Sequence, residues 1–108
     1  MKNFGAGGLQ NIMRQANQMQ LKMKKAQEEL ATQEFTGTSG GDAVVVKVSG
    51  AQKVLSIQVN PDVMKSGDVD MLQDLIVTAT NQALTTAKET SEKEMSKITG
   101  GMGMPGMF

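Results

Sequence analysis

The stretch Leu9-Gln-Asn-Ile-Met-Arg-Gln-Ala-Asn-Gln-Met-Gln-Leu-Lys-Met-Lys-Lys-Ala-Gln-Glu-Glu-Leu-Ala-Thr32 decides the fold. Its apolar residues Leu9, Ile12, Ala16, Met19, Met23, Ala26 and Leu30 recur at alternating steps of three and four. That spacing is a heptad seam: Leu9, Ala16, Met23 and Leu30 take one position and Ile12, Met19 and Ala26 the other. A helix over these residues, at ~1.5 Å rise per residue, is a rod of roughly 35 Å that outreaches the core of so small a domain. Alanine and methionine in the seam let helices approach closely but bury less area than leucine or isoleucine. Leu9, Ile12, Ala16, Met19 and Met23 are therefore candidate packing residues, against a helix of the same chain or of a second copy.

Beyond this helix the period changes from seven to two. Gly37-Thr-Ser-Gly-Gly41 has turn chemistry, and Val44, Val46 and Val48 then alternate within Ala43 to Ser49. Gly50-Ala-Gln-Lys53 reads as the next turn, after which Leu55, Ile57 and Val59 share one face and Ser56 and Gln58 the other. With Gln33 to Thr38, Phe35 inward, these runs predict a three-stranded antiparallel sheet with one apolar side, which the helices must cover. Asn60-Pro61-Asp62 can cap and start a short helix, and Asp68 is a second cap. From there Leu72, Leu75, Ile76, Ala79, Ala83 and Ala87 mark another long amphipathic helix, extending toward Ile98 before Gly100 and Gly101 stop it. The expected class is α+β: long N-terminal helix, three strands, short helix, long C-terminal helix, in a single domain over residues 1–108. Flexible ends are expected at about 1–7 and 100–108, the latter alternating glycine and methionine.

Composition narrows the chemistry. The 108 residues include neither cysteine nor histidine, which removes thiolate nucleophiles, disulfides, cysteine-bearing metal sites and the commonest general base. Glu28 and Glu29 are adjacent, but neighbours on a helix diverge by about 100° and suit a solvated face better than paired acid–base work. The glycine runs Gly5 to Gly8 and Gly37 to Gly41 have neither the strand-loop-helix context nor the Lys-Ser ending of a nucleotide loop. An enzyme is not expected, nor a cofactor, metal or small-molecule substrate. No apolar run has transmembrane length and the first residues have no signal-peptide core, so a cytoplasmic protein is expected.

The formal net charge is zero, yet the charges are segregated. Residues 1–27 contain Lys2, Arg14, Lys22, Lys24 and Lys25 and no acid, whereas between Asn60 and Gln82 the acids Asp62, Asp68, Asp70 and Asp74 meet only Lys65. Arg14, Lys22, Lys24 and Lys25 are candidates for neutralising nucleic-acid phosphates without reading bases. The alternative is pairing along the helix, Lys24 with Glu28 and Lys25 with Glu29, each pair worth only ~0.2–0.5 kcal/mol and readily exchanged for phosphate. Three phenylalanines are too few for a base-stacking platform.

The order of motifs adds to this reading. Met13 to Leu30, Thr36-Gly37 with Ser39-Gly40, Gly50, Ile57 with Asn60-Pro61, Met71-Leu72-Gln-Asp-Leu-Ile76 with Asn81 and Ala83, and Met104-Pro105-Gly106 together resemble the YbaB/EbfC family of nucleoid-associated proteins. The resemblance implies a small bacterial protein that forms a tweezer-shaped homodimer with protruding helices and binds double-stranded DNA, with a nucleoid-organising or gene-regulatory role. It places basic residues at Arg14, Lys22 and Lys25 of the first helix, to which Lys24 is an addition. Where family members often have a basic pair after the Asn-x-Ala segment, this chain has Thr85 and Thr86, leaving Lys88 and Lys93, among Glu89, Glu92 and Glu94, as the candidate DNA-binding residues of the last helix. The competing expectation is an interaction adaptor that captures another protein on its heptad helix and does not touch DNA.

Overall fold

The computed structural model describes residues 8–100, so the expected flexible ends lie outside the described residues except for Gly100, which is helical. The elements follow the expected order: α1 Leu9–Thr32, β1 Glu34–Ser39, β2 Val44–Ser49, β3 Val54–Val59, α2 Pro61–Ser66 and α3 Val69–Gly100. The strands form one antiparallel sheet in the order β1-β2-β3. Pairing of Phe35 with Val48, Gly37 with Val46, and Ile57 with Val46 on the other side puts the alternating apolar residues on one face. Lys47 pairs with Ser56 and Val48 with Val54, so Leu55 is an extra residue that bulges β3.

The caps read from sequence are in place. The Asn60 side chain accepts from the Asp62 N–H at 2.8 Å, Pro61 opens α2, and Gly67 closes it in the left-handed conformation at φ 71°. Asp68 accepts from the Met71 N–H at 2.9 Å and starts α3.

The core lies between α3 and the first two strands. Val44, Val46 and Val48 from β2 and Ala79, Ala83 and Ala87 from α3 are completely buried. One glycine makes this close layer possible: a Cβ on Gly37 would overlap the Ala79 carbonyl oxygen and stand 2.6 Å from the Ala83 nitrogen. The helix backbone thus rests directly on β1, held by Gln82 Oε1 accepting from the Thr38 N–H at 2.6 Å and by the Ser39 hydroxyl donating to the Leu75 carbonyl at 2.6 Å. Both contacts secure β1, an edge strand whose outward amides would otherwise lack partners.

α1 joins the sheet at the opposite end from α2. The Gln33 N–H donates to the Leu30 carbonyl at 3.1 Å and the Gly50 N–H to the Gln33 carbonyl at 3.0 Å, and the absence of a side chain on Gly50 admits the Leu30 backbone. Leu30 is buried there, Met19, Met23 and Ala26 are half-buried, and α1 packs on α3. The molecule is long, 77 × 26 × 16 Å, with a radius of gyration of 21.3 Å against ~13 Å for a compact domain of this length.

Candidate nucleic-acid interface

α3 passes over the sheet in the order Leu75 near Gly40, Ala79 and Ala83 on Gly37, and then reaches Glu94, which shares a small cleft with Ala26, Glu29, Leu30 and Gln33 of α1. The two long helices therefore run antiparallel beyond the sheet. The seam closes within the chain only over its second half: Met19, Met23, Ala26 and Leu30 are covered to differing degrees, whereas Leu9 and Ile12 are 58% and 60% exposed and Ala16 is exposed too. The first two turns of α1 and a little more stand clear of α3.

Arg14, Lys22, Lys24 and Lys25 are all exposed on this arm. At about 100° per residue, Arg14 and Lys25 fall within about 20° of one another, opposite the seam and about 16 Å apart along the axis. Lys22 and Lys24 fall on the two flanks, about 160° from each other. The four cations therefore wrap the outer surface of the helix instead of forming one stripe. Neither Lys24 with Glu28 nor Lys25 with Glu29 comes into salt-bridge range; among the described residues the one ion pair is Lys97 with Glu94 at 3.5 Å.

Neutral donors accompany the charges. Gln10, Asn17 and Gln18 border an open depression around Arg14 with Met13 and Leu21. Counting charges along the sequence passes over these amides; their signal is the spacing that puts residues 10, 14, 17, 18 and 21 on one helix face. Lys88 and Lys93 are exposed on α3 but, five residues apart, diverge by about 140° and do not join a common patch.

The acids gather at the other end. Asp42 in the β1–β2 turn lies at the end of the sheet where the Asn60 N–H donates to the Ala43 carbonyl, and α2 and the start of α3 add Asp62, Asp68, Asp70 and Asp74. No group of three or more carboxylates that could hold a metal occurs among the described residues, and no described helix is long and apolar enough to cross a membrane.

A second exposed surface is apolar. α3 packs on β1 and β2 and leaves β3 uncovered, so Leu55 and Ile57 are 51% and 46% exposed on the sheet's apolar side. Gln82 and Leu75 face the β1 edge, so Val77, exposed, and Leu84, half-buried, lie on the opposite flank of α3, toward β3.

Comparison with known proteins agrees with this architecture. The chain is 52% identical over 107 residues to a nucleoid-associated protein of Clostridium novyi, covering 96% of this chain and 94% of that one. It is 45% identical over 104 residues to a nucleoid-associated protein of Caldanaerobacter subterraneus, covering 96% and 94%. The crystal structure of an uncharacterized protein of Helicobacter pylori shares the fold, with a TM-score of 0.61 at 19% identity over 72% of this chain and 90% of that one. The family model described as the YbaB/EbfC DNA-binding family matches residues 5–102, and the chain belongs to that family.

Proposed function

We propose that the protein binds double-stranded DNA as a homodimer, meeting the phosphate backbone with the outer surface of α1 and so serving a nucleoid-organising or regulatory role. The observation that carries this reading is the placement of Arg14, Lys22, Lys24 and Lys25 on a helix that stands clear of the sheet and has no acid between Leu9 and Ala26. A helix about 10–12 Å across can enter a major groove about 12 Å wide. In that pose Lys22 and Lys24 reach the phosphate walls on either side, and Arg14 and Lys25, between them and about 16 Å apart along the axis, extend to the phosphates that border the groove. Lys88 and Lys93, further along α3, add weaker and more distant attraction. The acidic end of the molecule is repelled by the same phosphates, so DNA meets the arm first.

The homodimer is supported by what the single chain leaves uncovered. Its surface is 7909 Å², against about 5,800 Å² for a compact monomer of its mass. Leu55 and Ile57 of β3 and Val77 of α3 are exposed and Leu84 is half-buried, and a second copy offers the same apolar chemistry about a two-fold axis.

The test is fluorescence anisotropy with a duplex of arbitrary sequence across a salt series, beside the Lys22→Glu, Lys24→Glu, Lys25→Glu variant. If each lysine meets one phosphate, removing three from each protomer of the dimer should flatten the slope of log affinity against log salt by about 5 and abolish binding at physiological salt. Circular dichroism should be unchanged. Undiminished binding by the variant would overturn the site, and no binding by either protein would favour the adaptor reading.

A further inference from the structure

The outer surface of α1 holds side chains that attraction to phosphate does not use. Gln10, Asn17, Gln18 and Leu21 all fall within the arc of about 160° bounded by Lys24 on one flank and Lys22 on the other. All four are exposed, and they border the same open depression around Arg14. Leu21 is 67% exposed, and among the described residues no large hydrophobic side chain is more so. It stands about 180° around the helix from the buried Leu30, so the seam that packs α1 does not use it.

We infer that Gln10, Asn17 and Gln18 read adenine in the major groove, with Leu21 against the methyl group of the paired thymine. The inference rests on the DNA-binding reading above and adds a sequence preference to it. With Lys22 and Lys24 at the two phosphate walls, the arc between them faces the floor of the groove. Arg14 and Lys25 are long enough to reach past that floor to phosphate and leave the shorter amides to the bases. A carboxamide is complementary to adenine, its oxygen accepting from N6 and its nitrogen donating to N7. The thymine methyl of the same base pair is the apolar group on that floor, and Leu21 lies between Asn17 and Gln18 around the helix. Aspartate or glutamate, which would accept from cytosine N4, does not occur between Leu9 and Gln27. Gln10 and Gln18 are about 12 Å apart along the axis, roughly three base-pair steps. These contacts carry no charge, so they set which duplex is held and not how binding falls with salt.

7-Deazaadenine separates base reading from backbone attraction, because it removes the N7 acceptor and keeps the base pair and the phosphate charge. Anisotropy compares the full-length protein on an alternating A·T duplex and on the same duplex carrying 7-deazaadenine. The parent should bind the second about tenfold more weakly. Gln10→Ala, Asn17→Ala and Gln18→Ala together should bind both duplexes alike, with the parent's salt slope and unchanged circular dichroism. Gln20→Ala, exposed on α1 but outside the arc, should discriminate as the parent does. Equal affinity of the parent for the two duplexes, with binding still falling with salt, would overturn the base reading and leave the phosphate reading standing. A triple variant that still discriminates would overturn the assignment to these amides. No binding of the parent to either duplex would overturn both readings.

Discussion

Replacing Gly37 by alanine adds one methyl group where the structure has no room for it. The new Cβ would overlap the Ala79 carbonyl and stand 2.6 Å from the Ala83 nitrogen and 3.0 Å from the Ala83 Cβ, all fixed parts of α3. Ordinary contact begins near 3.4 Å, so the helix must rise by roughly 1 Å from β1. Overpacking of this kind costs about 1–3 kcal/mol. Lifting α3 also stretches the Thr38–Gln82 and Ser39–Leu75 hydrogen bonds, each worth about 0.5–1.5 kcal/mol. Against this, alanine restricts the unfolded chain more than glycine does and returns only about 0.4–1 kcal/mol. The steric terms win, and a net loss of about 2–5 kcal/mol is expected. Urea denaturation at fixed protein concentration should show the midpoint falling by about 1 M or more, with Thr36→Ala on the opposite face of the same strand within about 0.5 kcal/mol of the parent. A Gly37→Ala midpoint equal to the parent's would refute the argument that glycine is required by the approach of α3.

Other outcomes follow from the same contacts. Ile57→Asp puts a charge on the uncovered sheet face and should convert a dimer to monomer in sedimentation velocity at micromolar concentration, while far-ultraviolet circular dichroism stays constant; a dimer unaffected by it would place the interface elsewhere. Asp68→Ala removes the acceptor for the Met71 N–H and should cost about 0.5–2 kcal/mol in thermal or chemical denaturation, with Asp68→Asn recovering most of it. Glu28→Gln with Glu29→Gln should change stability by less than about 0.5 kcal/mol, because neither carboxylate is in salt-bridge range of Lys24 or Lys25, yet should tighten DNA binding measured by anisotropy at low salt.

Periodicity made the elements legible. The switch from heptad spacing to alternation after Leu30, and the capping chemistry at Asn60 and Asp68, located the three strands and both long helices to within a residue or two, but the turn read at Gly37–Gly41 begins only at Gly40, because Gly37, Thr38 and Ser39 pair with β2 in β1. Periodicity reports which side of an element is apolar, however, and not what covers it. Leu55 and Ile57 alternate as cleanly as Val44 and Val46, yet α3 lies over only the latter pair because Gly37 draws it toward β1. The alanines of α3 illustrate the same limit: a stripe of Leu72, Leu75, Ile76, Ala79, Ala83 and Ala87 suggests that the larger side chains dominate the core, but only the small ones reach complete burial, where the backbones are closest. Similarly, the sequence disclosed that residues 9–27 are basic without acids. Which part of the seam α3 covers, and so how much of the arm stands clear of it, came only from the structure.

α3 runs without interruption from Val69 to Gly100, so it behaves as a cantilever. Its fixed end is the contact of Ala79, Ala83 and Ala87 with the sheet, a grip about 12 Å long, and its free end projects about 20 Å further to Gly100. A rise of 1 Å at one side of the grip tilts the beam by about 5° and displaces Gly100 by nearly 2 Å. Because α1 leans on that free end, the displacement grows to about 3 Å at the level of Leu9. The position of the arm is thus sensitive to one missing methyl group at the far end of the lever, and alanine at Gly37 would shift the cations of α1 without touching any of them.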